Sequence, residues 1–171
     1  NLSSSRALKD VTEAYGQQYH AAAVGEVNVV AEMKRTHSVI GGEGNGGVIY
    51  PESHYGRDAL VGVGLFLSHY VAQSKKMTEL KSTYPPYFIS KNKMTLSPDM
   101  DVDKILEGLK ERYATEKVTD IDGVKIDFAQ GWVHLRKSNT EPIIRIYSEA
   151  KDEAAANQLA EEVIAAAKST L

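Results

Sequence analysis

Apolar residues recur at two different spacings along this chain, and the change of spacing divides it into two halves. Behind Ser3, Ser4 and Ser5, which are good helix N-caps, Ala7, Leu8, Val11, Ala14 and Tyr15 fall at helical intervals, and Gly16 is a natural stop. Gln18 to Val24 reads as a strand. Val27, Val30, Met33 and Lys34 suggest a second helix with a partly apolar face. Ser38 to Ile40 reads as a short buried strand running into the glycine cluster 41–47, and Val48 to Tyr50 is extended again. A long apolar helix opens at Asp58, or at Gly56 just before it, and reaches about Ala72. Strands and helices in alternation predict an α/β domain over residues 1–82.

The adjacent Pro85 and Pro86 stiffen the chain and stop any helix before them, so residues 83–98 read as a linker and a lead-in strand, about Tyr87 to Lys93. Residues 99–171 then read as a small α+β domain with a mostly antiparallel sheet. Ile105, Leu106 and Leu109 give the inward face of a helix from about Asp103 to Tyr113. Val118 to Ile121 and Val124 to Phe128 alternate, and Asp122-Gly123 between them signals a hairpin turn with positive φ at both positions. Trp132 to Arg136 and Ile143 to Tyr147 are two further strands. An alanine-rich amphipathic helix from about Asp152 to Lys168 ends the chain. No internal repeat or low-complexity tract interrupts this order.

Composition narrows the function. At 171 residues the chain suits one ordinary domain or two small ones. Twenty basic against 23 acidic residues leave a net charge of −3, too balanced for a nucleic-acid footprint, although a local basic pocket remains open. The absence of cysteine excludes disulfides and thiolate metal sites and permits a reducing compartment, so a cytoplasmic setting is expected. The longest apolar run, Ala59 to Leu67, is too short to cross a bilayer, and no membrane partner is expected. The chain opens on Asn1 and not Met, which reads as part of a longer protein.

Two loops could carry chemistry. Arg136-Lys137-Ser138-Asn139-Thr140-Glu141-Pro142, closed by Arg145, lies between two strands, so its polar groups gather at one end of a sheet. Guanidinium forks, hydroxyls, an amide and loop N–H groups are what a phosphate dianion needs. Pro142 would stiffen the loop exit and Glu141 could orient an arginine. A solvated hairpin tip is the plainer alternative. Two arginines side by side favour the anion site, because like charges repel unless an anion lies between them.

The second loop, Gly41-Gly42-Glu43-Gly44-Asn45-Gly46-Gly47, matches G-x-G-x-x-G at Gly42, Gly44 and Gly47. A dinucleotide site needs a helix directly afterwards, and Val48-Ile49-Tyr50-Pro51 is not one; a phosphate loop of the Lys-Ser/Thr type is absent too. The loop still offers a carboxylate, Glu43, and an amide, Asn45, to sugar hydroxyls, with a backbone that a ligand can approach closely. Asp99, Asp101 and Asp103 fail as a calcium loop because Lys104 and Lys110 stand where glycine and glutamate belong; they read instead as a helix N-terminus. Ser53-His54 proves no nucleophile, and the remaining histidines lack metal-ligand spacing.

In sequence order, Asn1-Leu2-Ser3-Ser4-Ser5-Arg6-Ala7-Leu8, Val24-Gly25-Glu26-Val27-Asn28-Val29-Val30, Gly42-Glu43-Gly44-Asn45-Gly46-Gly47, Gly56-Arg57-Asp58 and Arg136-x-Ser138-Asn139-Thr140-Glu141-Pro142-x-x-Arg145 resemble the third and fourth domains of the α-D-phosphohexomutases. That family includes phosphoglucomutases, phosphomannomutases and phosphoglucosamine mutases. The resemblance implies transfer of a phosphoryl group between O1 and O6 of a hexose, through a phosphoserine and a bisphosphosugar intermediate. It also implies Mg2+ held by an Asp-Gly-Asp-Gly-Asp-Arg loop. Neither the phosphoserine loop nor the metal loop is in this chain, so the resemblance implies no catalytic residue and no cofactor here, and missing N-terminal domains as partners. It assigns Glu43 and Asn45 to sugar hydroxyls and Arg136, Ser138, Asn139, Thr140 and Arg145 to the phosphate that is not reacting. Asn45, Gly47 and Ala21-Ala22-Ala23 depart from many relatives, which puts a sugar contact from that last segment in doubt. The alternative is a non-catalytic phosphosugar or phosphate-binding module. A nucleic-acid binder using Arg136 and Lys137 would need a broader basic face and stacking aromatics.

Overall fold

The computed structural model describes residues 1–97, 100–138 and 140–170, and the chain divides into two units, Asn1–Pro86 and Tyr87–Leu171.

In the first unit, α1 (Arg6–Ala14) begins where the Ser5 hydroxyl accepts from the Ala7 N–H at 3.2 Å. Its apolar positions do not form a core: none of its residues is buried, and Tyr15 beyond it is 80% exposed. Helix α2 (Glu26–Thr36) turns Val29 and Met33 inward and ends at His37, which takes the left-handed conformation. Three short strands follow, β1 (Gly41–Gly42), β2 (Val48–Tyr50) and β3 (His54–Arg57), in an antiparallel sheet with β2 central. The long helix α3 (Ala59–Gln73) is capped by the Asp58 carboxylate, which accepts from the Val61 N–H at 3.0 Å. The short α4 (Met77–Ser82), absent from the sequence reading, starts where the Glu79 carboxylate reaches back to the Lys76 N–H at 3.0 Å. Ala22, Val29, Met33 and Ile49 form the core.

Three expectations need correction in this unit. Gln18 to Val24 is not a strand, because no neighbouring strand offers it a ladder of hydrogen bonds; the Ala22 carbonyl accepts from the Leu2 N–H instead. Ser38 to Ile40 is neither strand nor buried: Val39 is 78% exposed, and pairing starts only at Gly41. The helices therefore flank a local antiparallel sheet, which keeps the expected α/β class, with strands and helices grouped and not alternating one by one.

The second unit carries one antiparallel sheet in the order β4-β8-β7-β6-β5, from β4 (Phe88–Thr95), β5 (Lys117–Thr119), β6 (Val124–Asp127), β7 (Gly131–Lys137) and β8 (Ile143–Ala150). Strand β4 is thus an edge strand of this sheet, paired with β8 along its whole length. Helices α5 (Val102–Arg112) and α6 (Glu153–Lys168) are capped by Asp101 and Asp152, whose carboxylates accept from Lys104 and Ala155 N–H groups among others. Strand alternation sends Val133, Leu135, Ile144 and Ile146 to one face, where they pack with Ile105, Leu109, Leu159 and Val163. The intervening positions, Trp132, His134, Arg136, Arg145 and Tyr147, take the other face. Fully buried Trp132 donates its indole N–H to Glu149 Oε1 at 2.8 Å.

The Asp122-Gly123 turn differs from the expected two-residue form. Strand β5 ends at Thr119, so the connection runs over residues 120–123, and only Gly123 has positive φ, at 69°. A Cβ there would also lie 2.9 Å from the Arg136 Cα, so this position needs glycine twice over.

Candidate functional site

The polar loop after β7 is framed by strand pairing. Arg136 and Arg145 are direct partners across β7 and β8, which places like charges on facing backbone positions and one sheet face. The Ser138 N–H donates to the Ile143 carbonyl at 3.0 Å, extending the ladder into the loop, and the Leu96 N–H donates to the Pro142 carbonyl at 2.9 Å. The loop exit is thereby tied to the segment after β4. Ser138, 8% exposed, lies 3.4 Å from Thr140, hydroxyl to hydroxyl, and its oxygen also faces the Thr140 N–H at 3.4 Å. The structure thus gathers Arg136, Ser138, Thr140, Glu141 and Arg145; Asn139 lies outside the described residues.

Each arginine of the pair has one carboxylate. Arg145 Nη2 meets Glu141 Oε2 at 3.3 Å, with side chains 40% and 54% exposed. Arg136 Nε meets Asp122 Oδ2 at 3.3 Å, with side chains 25% and 23% exposed. The acids offset the repulsion between the guanidinium groups without consuming their donors, since a guanidinium carries five N–H groups. Hydroxyls, a loop N–H and two forked cations around one strand end can bind a tetrahedral oxyanion.

The glycine-rich loop is a hairpin tip between β1 and β2. The Glu43 N–H donates to the Gly47 carbonyl at 3.0 Å, and the Asn45 amide oxygen accepts from the Gly47 N–H at 3.0 Å, folding that side chain onto its own turn. The Glu43 carboxylate, only 6% exposed, accepts from Asn1 Nδ2 at 3.1 Å and the Gly25 N–H at 3.2 Å, and faces Arg57 Nη1 at 3.5 Å. These three donors hold the carboxylate in place beneath the turn. Asn45 is exposed and lines an open concavity of about 510 Å³ with Glu26, Gly46, Gly47, Arg57, Asp58 and Ala59.

Arg57, which introduces α3, also organises this concavity. Its guanidinium Nε donates to Glu26 Oε2 at 2.7 Å while its backbone N–H donates to Glu26 Oε1 at 3.0 Å. That backbone bond, and then the side-chain bond, hold the Glu26 carboxyl below the usual carboxylate range. The Val61 N–H and then the His54 imidazole, 3.0 Å away, do the same for Asp58. The signal available in the sequence was the Glu26 and Arg57 pair of opposite charges, but a separation of 31 residues hides such a contact. His134 likewise belongs to no motif in the sequence. It is 1% exposed on the arginine face, and burial pushes its proton affinity down.

Among the described residues, no group of three or more histidines and carboxylates is placed to hold a metal ion, and no helix is long and apolar enough to cross a membrane. Asp101 caps α5, Asp103 lies in its first turn, and Asp99 is outside the described residues.

Known proteins share sequence and fold with this chain. Residues 1–87 match the phosphoglucomutase/phosphomannomutase alpha/beta/alpha domain III family, and residues 91–166 match the C-terminal domain of the same group. The chain is 37% identical to a phosphoglucosamine/phosphogalactosamine mutase of Sulfurisphaera tokodaii, over 95% of this chain and 36% of that protein. It is 36% identical to a phosphoglucomutase/phosphomannomutase of Thermococcus kodakarensis, over 94% of this chain and 35% of that protein. It therefore spans about a third of the length of these relatives. A phosphoglucomutase/phosphomannomutase family protein of Burkholderia thailandensis shares the fold at a TM-score of 0.75 and 22% identity, over 95% of this chain and 35% of that one. Aspergillus fumigatus N-acetylphosphoglucosamine mutase, solved in complex with GlcNAc-6P and magnesium, follows at a TM-score of 0.55 and 14% identity, over 93% of this chain and 38% of that one.

Proposed function

Because the chain belongs to the phosphoglucomutase/phosphomannomutase family, we propose that it is the substrate-holding portion of a phosphohexose mutase, an isomerase moving phosphate between O1 and O6 of a hexose. Arg136, Ser138, Thr140 and Arg145, with Asn139 between them, grip the phosphate that is not reacting. Asn45 meets sugar hydroxyls from the rim of the concavity, and Glu43 adds its carboxylate. The observation that carries this reading is the in-register Arg136 and Arg145 pair beside the Ser138 and Thr140 hydroxyls. The names of the relatives make phosphoglucosamine, phosphoglucose and phosphomannose the candidate substrates.

The phosphoserine and the magnesium loop belong to other parts of the longer protein, and no residue described here takes a step in phosphoryl transfer. What this chain does is hold and orient. A bisphosphosugar intermediate must reverse end for end, so its anchor must accept either phosphate, and a site built on charge and hydroxyl donors is indifferent to which end it holds. An NMR titration with a hexose 1-phosphate and a hexose 6-phosphate tests the reading. Saturable shifts are expected from Arg136 to Arg145 with both ligands, lost in Arg145→Ala, with further shifts at Glu43 and Asn45. If both loops stay silent at saturating ligand, the reading is wrong.

A further inference from the structure

The two arginines of the anion site are held unequally. Arg145 and its partner Glu141 are both substantially exposed, whereas Arg136 and Asp122 sit in a sheltered pair. Asp122 contacts Arg136 through Nε, with Oδ1 at 3.4 Å and Oδ2 at 3.3 Å. Both contacts fall on the Nε edge of the guanidinium, and its Nη hydrogens are the donors an incoming oxyanion would use. Asp122 is itself held from both sides. Its backbone carbonyl accepts a 2.7 Å bond from His134 Nε2, which must be the protonated nitrogen because a carbonyl cannot donate. Immediately after it, Gly123 packs its Cα against the Leu135 carbonyl and the Arg136 backbone, so close that no side chain fits. The turn 120–123 is therefore pressed onto β7 at the arginine it faces.

We infer that Asp122, fixed by His134 and the Gly123 contact, is the positioning residue that holds Arg136 for phosphate. The inference rests on the anion-site reading above. Arg136 is the preset arm of the site, and Arg145, with its exposed partner, is the arm free to adjust. Because Asp122 grips Nε, a phosphate bound at the Nη groups need not displace it.

Electrostatics and positioning predict opposite signs, which makes the test decisive. Deleting a carboxylate near an anion site should tighten binding if charge alone matters. If Asp122 positions Arg136, deleting it weakens binding, by about tenfold for the loss of a charge-assisted contact to the ligand. Hexose 6-phosphate would be titrated calorimetrically into the 171-residue chain and its Asp122→Ala, Asp122→Asn, Arg136→Ala and doubly substituted Asp122→Ala/Arg136→Ala forms. Asp120→Asn is the control: this acid pairs with Lys110, not with Arg136.

The expected results are weaker binding in Asp122→Ala, partial recovery in Asp122→Asn, and a double variant no weaker than Arg136→Ala alone. In a proton–nitrogen spectrum the Arg136 Nε–H signal should be distinct in the parent chain and averaged away in Asp122→Ala, while core amide signals stay in place. Binding that Asp122→Ala leaves unchanged or tightens overturns this inference and leaves the anion site standing. Failure of the parent chain to bind overturns both. A folded Asp122→Ala chain that retains the distinct Nε–H signal also overturns the inference.

Discussion

The two units bury their apolar residues very differently. In the second, fourteen described residues from four strands and two helices form one core, with Ile105, Leu109, Ile126, Leu135, Ile144 and Ile146 fully buried. In the first, the core is Ala22, Val29, Met33 and Ile49. Its most apolar helix, α3, has no buried residue, and Leu60, Val63, Phe66, Leu67 and Val71 are all exposed. An apolar helix is ordinarily buried on most sides. The comparison separates two meanings of hydrophobic patterning. In the second unit it identifies what holds the fold together; in the first it identifies surface that this chain leaves uncovered.

Substitutions can break or sharpen that contrast. The largest effect is expected from Ile146→Ala, which removes a fully buried side chain from the centre of the second sheet. It should cost about 2–5 kcal/mol, seen as an earlier urea transition of the signal from Trp132, the chain's one tryptophan. A change within about 0.5 kcal/mol would mean that this core tolerates cavities and that the contrast is overstated.

A smaller effect should follow acidification. Burial, as the leading cause, depresses the proton affinity of His134 below its ordinary value of 6.5. Between the depressed folded value and 6.5 the unfolded chain binds more protons, so this contribution is complete above about pH 6.5 and is lost as pH falls below it. His134→Gln should flatten that part of the stability curve while keeping a donor for the Asp122 carbonyl. An unchanged slope would show that His134 does not titrate in this range.

The smallest effect is expected at Leu60, which is 84% exposed. Leu60→Ser should move stability by no more than about 0.5 kcal/mol and should raise solubility. A large loss in a denaturant melt would show that α3 is packed after all, and the contrast would fall.

Legibility in the sequence followed the same divide. Helices α5 and α6 and strands β6 to β8 were readable because alternation and helical periodicity each coincide with a face that this chain buries. Helix α3 was readable at its start, where Asp58 announces a cap, but its burial was not, because burial depends on what lies opposite. The run Gln18 to Val24 has no neighbouring strand to pair with. At the site, Arg136, Ser138, Thr140 and Arg145 stood within one short motif. Glu26, Arg57, Asp122 and His134 did not, because their contacts join positions 12 to 31 residues apart and no local spacing encodes them.

The facing of Arg136 and Arg145 carries a last consequence. The same ladder that pairs them also pairs Leu135 with Ile146, and alternate positions point to opposite faces. Sliding β8 by one residue along β7 would not weaken the proposed anion site gradually. It would bring Arg145 to the core side and carry Ile144 or Ile146 outward, ruining both faces together. Insertions in the loop can therefore be absorbed between the strands, whereas a single insertion within either strand cannot. The pairing of the two arginines is inherited from the sheet's registration, so a correctly folded second unit already carries them at facing positions.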